Sequence, residues 1–192
     1  MPKKKLSGRD DQRLLEATAT IVDGAGGRLQ ITNLNKALFY LDLLSLLNEG
    51  QTVTGCVYVA RKAGPVLDGY QRRIVTALQQ LGVATQEDDG LSKPVRLVEG
   101  VNCESLSRKE IEWATQLGAW ARKLSATKMS NFSHDNPGWR LAYREGRGDG
   151  STINLVLAMQ QLVEQDPWVK EAATREEIKA CESADEDPGE EW

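Results

Sequence analysis

The 192-residue chain is poor in the residues that build metal centres and cross-links: three cysteines and one histidine, with only 6% aromatics. Cys56, Cys103 and Cys181 are odd in number and widely spaced, and His134 is the sole imidazole, so neither a disulfide framework nor paired zinc ligands is expected. Three reduced thiols fit a cytoplasmic setting. No run approaches the roughly 18 apolar residues of a membrane span, and Met1–Lys5 leads into no apolar leader, so a membrane is not an expected partner. What is present, 40% hydrophobic and 27% charged residues, matches an ordinary globular chain, enough for one domain or one domain with an appendage.

The net charge of −4 is unevenly spread. Over the first thirteen residues Lys3, Lys4, Lys5, Arg9 and Arg13 outnumber Asp10 and Asp11, so the chain opens with a basic arm, whereas residues 171–192 carry nine acids against two bases. A main surface built for nucleic acid is therefore not expected, beyond minor autoregulatory contact by the arm. Residues 182–192, rich in Asp and Glu with Pro188 and Gly189, read as an acidic disordered tail.

Periodicity divides the rest. Leu14, Leu15, Thr18, Ile21 and Val22 predict a first amphipathic helix stopped by Gly24–Gly27. Thr32 is placed to cap a second, running to about Asn48 and ended by Gly50. Because Leu34, Leu38, Leu41 and Leu44 are joined by Phe39, Leu43, Leu46 and Leu47 on other sides, that helix belongs at the centre. Residues 55–61 predict a strand, with a tight turn at Gly64-Pro65. A third helix is expected from a cap at Asp68 to Gly82, then a β-hairpin from Val83–Gln86 and Val95–Val98 around Asp88-Asp89-Gly90. Ser107 with Glu110 forms a capping-box pattern for a helix carrying Trp113, Leu117, Trp120 and Leu124, and Ser125 opens a shorter one to Ser133. His134–Gly138 reads as a break before Trp139; a helix from Ser151 to Gln165 and a last one after Asp166-Pro167 follow. The expected fold is α+β, a mainly helical single domain of about seven helices with a small antiparallel β-sheet.

Little here assembles into catalysis. A hydrolase would need Cys56 or Cys103 as nucleophile and His134 as base, oriented by an acid such as Asp135; the simpler reading makes His134 a turn residue bonded to backbone. Gly146–Thr152 superficially suggests a phosphate loop but has no P-loop lysine, and a flexible connection is the alternative. Arg140, Arg144 and Arg147 form a local positive patch open to an acidic partner, to phosphate or to solvent. Trp113 and Trp120 suit a core; Trp139, Trp168 and Trp192 are open to partner contact.

Two segments look familiar. Gly55, Tyr58, Ala60, Gly64 and Pro65 spell G-x-x-Y-x-A-x-x-x-G-P, and Leu124, Ser125, Ser133, His134 and Trp139 follow a Leu-Ser then Ser-His-x-x-x-x-Trp pattern. In order, behind a long apolar helix, they resemble the Panacea (SocA-like) antitoxin domain family. The resemblance covers residues 12–140, leaving 1–11 as the arm, 141–181 as a C-terminal helical extension and 182–192 as the tail. It implies an antitoxin, not an enzyme and without a cofactor or metal, that neutralises a small protein toxin encoded nearby by direct binding. Alternatives are a protease adaptor that delivers a toxin for degradation, and a nucleic-acid-binding regulator. Within the motifs, Gly55, Ala60, Gly64, Pro65, Ser133 and His134 are read as scaffold and Tyr58, Trp139 and Arg140 as toxin contacts. The extension could also pair two copies into a homo-oligomer.

Overall fold

The computed structural model describes residues 9–87, 93–98, 100 and 102–164. At its centre is α2 (Ile31–Glu49), in which Leu34, Leu38, Phe39, Tyr40, Leu41 and Leu43 are all fully buried. A helix apolar all round has no solvent face to lose and is stable only when other elements enclose it. The enclosure is α1 (Arg9–Gly24) and α4 (Arg108–Lys123) on one side, and a β-hairpin with the short helices that follow α4 on the other. The first pair packs closely because Gly118 of α4 lies against α1: a Cβ there would sit 2.0 Å from the Ile21 carbonyl oxygen. The capping box expected for α4 is present, Ser107 Oγ accepting from Glu110 N while Glu110 accepts from Ser107 N.

Two antiparallel sheets complete the α+β fold. The hairpin expected near residues 83–98 forms from β4 (Ala84–Gln86) and β5 (Pro94–Leu97); its Asp88-Asp89-Gly90 turn lies outside the described residues. An unexpected strand, β1 (Arg28–Gln30), follows the glycine run and pairs with the other side of β5 in the order β1-β5-β4. The second sheet is β2 (Tyr58–Arg61) against β3 (Gly64–Leu67), with Arg61 opposite Gly64.

Several boundaries differ from expectation. Gly64-Pro65 is not the turn but the start of the return strand; the turn is Lys62-Ala63. Thr32 lies inside the first turn of α2, whose cap residue is Gln30 without a side-chain bond. Asp68 opens no helix: a π-helical turn (Gln71–Thr76) leads into α3 (Ala77–Gln80). Arg9, assigned to the arm, already belongs to α1. After α5 (Ala126–His134), Pro137-Gly138 does not break the chain but begins α6 (Pro137–Tyr143), since Asn136 caps it and a first-turn proline forfeits no hydrogen bond. The expected domain edge at residue 140 thus falls within a helix. Residues 151–153 are extended rather than helical, pairing with β2 through Ala60 N to Ser151 O at 2.8 Å and Ile153 N to Tyr58 O at 2.8 Å. Helix returns only at α7 (Leu155–Ala158) and α8 (Gln160–Glu164). The last expected helix, Cys181, Trp168, Trp192 and the acidic tail lie outside the described residues.

Candidate functional site

The site begins with polar residues where α2 should have none. Asn35, Lys36 and Asp42 are buried in a helix of leucines, and each binds the β2–β3 hairpin or the loop that leads into it. Asn35 Oδ1 accepts from Leu67 N at 3.2 Å, and Lys36 Nζ donates to Pro65 O at 2.9 Å. Asp42 accepts from Thr54 N at 2.8 Å, from the Thr54 hydroxyl, and from Tyr58 OH at 2.8 Å. Burial governs their protonation: it lowers the Lys36 ammonium from 10.5 to about 7 and raises the Asp42 carboxyl despite three donors. Tyr58 is pushed well above 10 by burial first and the Asp42 charge second.

The other motif closes on the same hairpin. Gly64 has φ +102°, open to glycine but not to L side chains, and an added Cβ would lie 2.2 Å from Ser133 Oγ and 2.9 Å from Lys36 Cε. Ser130 Oγ donates to Ala63 O at 2.8 Å, and Trp139 Nε1 donates to Arg61 O at 3.0 Å. Trp139 is sandwiched, its ring stacked on His134 at 4.3 Å and on Tyr143 at 4.8 Å between centroids. His134 also hydrogen-bonds the Lys62 backbone, and its pKa is lowered, chiefly by desolvation.

A buried amide pair then secures the C-terminal helices. Asn136 Nδ2 donates to Ala158 O and to Gln161 Oε1, each at 2.9 Å, while its Oδ1 caps α6 by accepting from Trp139 N at 3.1 Å. Tyr40 OH donates to the same Gln161 oxygen at 3.0 Å, and Gln161 Nε2 donates to Phe132 O at 2.9 Å. The part of the extension that is described is therefore fastened to its own core.

These positions sort the expected site residues. Ala60, Gly64, Pro65 and Ser133 are buried at the junction and half-buried His134 borders it; Gly55 is exposed where the chain enters the hairpin. Tyr58 is 0% exposed, so the expectation that it contacts a toxin is corrected: its hydroxyl serves Asp42 and its ring packs edge-on against Phe39 at 5.2 Å. Trp139 shows 7% of its surface and acts mainly as a wedge, whereas Arg140 beside it is exposed. Lys36, Asp42, Asn136 and Gln161 were missed. A lysine and an aspartate inside an otherwise apolar run were the available signal for the first two, and Asn before Pro for the third; Gln161 carried none.

Chemically, the junction is a clamp. Burial raises the Cys56 thiol, the reverse of thiolate activation, and Cys103 Sγ lies 3.2 Å from Thr20 Oγ1. Among the described residues no three His, Cys, Asp or Glu side chains gather as metal ligands, and no helix is long and apolar enough to cross a membrane. A groove of about 630 Å³ runs past Thr52, Ser105 and Trp113, but its charges are matched: Arg13 with Glu110 at 2.5 Å and Lys109 with Glu49 at 2.5 Å.

A family model described as antitoxin SocA-like, Panacea domain, matches residues 34–140. No curated protein and no solved structure matches.

Proposed function

Because that match spans more than half of the sequence, the chain belongs to the SocA-like Panacea antitoxin family, and we propose that it neutralises a small, nearby-encoded protein toxin by binding it directly in the cytoplasm. One observation carries the reading: the two motif segments, about seventy residues apart, meet in one rigid junction of hairpin, α5 and α6, with Trp139 held between two rings and bonded to Arg61. Such preorganisation suits recognition by shape, because a surface already fixed loses little entropy on binding. The raised thiol pKa of Cys56 also favours a binding protein over a cysteine hydrolase.

Growth rescue is the test. Each small reading frame beside the gene is expressed with and without this chain; one product should arrest growth alone, be tolerated in its presence and co-purify with it in fixed ratio. Rescue in which the toxin instead disappears, and reappears when proteases are deleted, would indicate the adaptor role. Retardation of promoter DNA without a protein partner would indicate the regulator. Failure with every neighbouring product contradicts the proposal.

A further inference from the structure

The face formed by α6, the loop that follows it and the hairpin tip is rich in arginine. Arg140, Arg144, Arg147 and, at the hairpin tip, Lys62 are exposed and make no ion pair among the described residues. The neighbouring acids are Asp149, already paired with Arg61 at 2.7 Å, and the exposed Glu145 and Asp135. Among the described residues, four cations without an ion pair thus stand here against two such acids, while the acids of the chain concentrate in residues 171–192, nine against two bases.

The backbone holds these cations in place. Arg144 and Glu145 are the two non-glycine residues with positive φ, +48° and +56°, among those described. Strain of this kind persists only where the surroundings enforce it. Here the enforcement is Gly148 N to Tyr143 O at 2.9 Å, Gly150 N to Ala60 O at 2.7 Å and the Arg61–Asp149 pair. Apolar side chains are also exposed on α6 and on the α7 that packs against it. α6 and α7 pack tightly through Gly138 and Ala158, yet leave Leu141 61% and Val156 60% exposed.

We infer that this α6–α7 face is where the partner docks, and that the partner is a protein presenting a carboxylate-rich rim around an apolar patch. The inference rests on the antitoxin reading and adds to it the surface and the partner's chemistry. Arginines spaced on a fixed loop suit forked bonding to carboxylates. Exposed leucine and valine beside them favour a protein over a nucleic acid, whose backbone offers phosphate but no apolar patch to bury. A second copy of this chain is the less favoured occupant, because the cationic face would meet its own image across a two-fold axis.

The experiment uses the full-length chain and the purified product of the adjacent small reading frame, titrated calorimetrically at low and moderate salt. Arg144→Glu with Arg147→Glu should weaken binding at least tenfold, and Leu141→Ser about fivefold. The charge-reversed variant should also lose most of the salt dependence of the wild type. Arg72→Glu, a single reversal of the same kind on the π-helical turn, should bind as wild type. Wild-type affinity in the double variant, or equal weakening by Arg72→Glu, overturns the surface assignment while leaving the antitoxin reading intact. Absence of binding by the wild-type chain overturns that reading itself. Tighter, Arg144- and Arg147-dependent binding of a short DNA duplex would overturn the choice of a protein partner. Circular dichroism on each variant separates lost contact from lost fold.

Discussion

The two sides of α2 are held by different physics. On one side α1 and α4 meet mainly through small and apolar residues, with Gly118 against the Ile21 carbonyl and Leu117 in the core. Polar contacts there lie toward the ends of α4, Arg13 with Glu110 and Asn33 with the Ala121 and Leu124 carbonyls. On the other, the hairpin and α5–α8 are fastened by buried polar groups: Lys36 to Pro65, Asp42 to Thr54 and Tyr58, and Asn136 to Gln161. The first seam asks for volume and tolerates chemical substitution at constant size. The second asks for specific donors and acceptors, since an unmet buried polar group costs about 1–3 kcal/mol. A protein that must present one fixed surface gains from the second kind, because alternative packings leave such groups unsatisfied.

The contrast can be broken at several points. Asp42→Leu, close in size, should cost the most, about 4 kcal/mol in urea denaturation, because it strands Thr54 N, the Thr54 hydroxyl and the Tyr58 hydroxyl. Gly118→Ala should cost about 3 kcal/mol by forcing α1 and α4 apart, whereas Leu117→Met in the same seam should stay within about 1.5 kcal/mol. Equal tolerance of Asp42→Leu and Leu117→Met would erase the distinction between the seams.

Lys36 sharpens it through pH. Its pKa falls from 10.5 unfolded to about 7 folded, so between those values the unfolded chain binds more protons and stability rises with pH. The wild type should gain about 2 kcal/mol between about pH 7.5 and about pH 9, and Lys36→Met should flatten that slope. A slope unchanged in the variant would place the titration elsewhere. The smallest effect, about 1 kcal/mol, is expected of Trp139→Phe, which keeps a ring in the stack but loses the bond to Arg61 O. Thermal unfolding followed by near-ultraviolet dichroism would read it.

The apolar seam was also the legible one. Leu14, Ile21, Val22 and Leu117 announce their helices by spacing, Ser107 and Glu110 announce a cap, and the leucines of α2 place it at the centre. The polar junction was legible only as a motif. Gly64, Ser133 and Trp139 could be singled out, yet nothing in their spacing told that the hairpin tip would lie under Ser133 or that Trp139 would reach Arg61. Tyr58 misled because a tyrosine suits either a surface or a core, and only the partner of its hydroxyl, Asp42, decides between them. β1 was invisible because three residues are too few to show alternation, and their pairing with β5 is a tertiary event. Residues 151–153 read as helix for the opposite reason: the apolar spacing continues into α7, while the bonds to β2 that hold them extended come from residues ninety positions earlier.

Hydrogen–deuterium exchange of the chain with and without the neighbouring gene product tests most directly whether it acts by presenting this clamped face to a protein partner. The account predicts new protection over residues 58–64 and 137–158, with α1 and α4 unchanged. Protection confined to the groove beside Arg13 and Trp113, or no change anywhere in a mixture that still rescues growth, would contradict it.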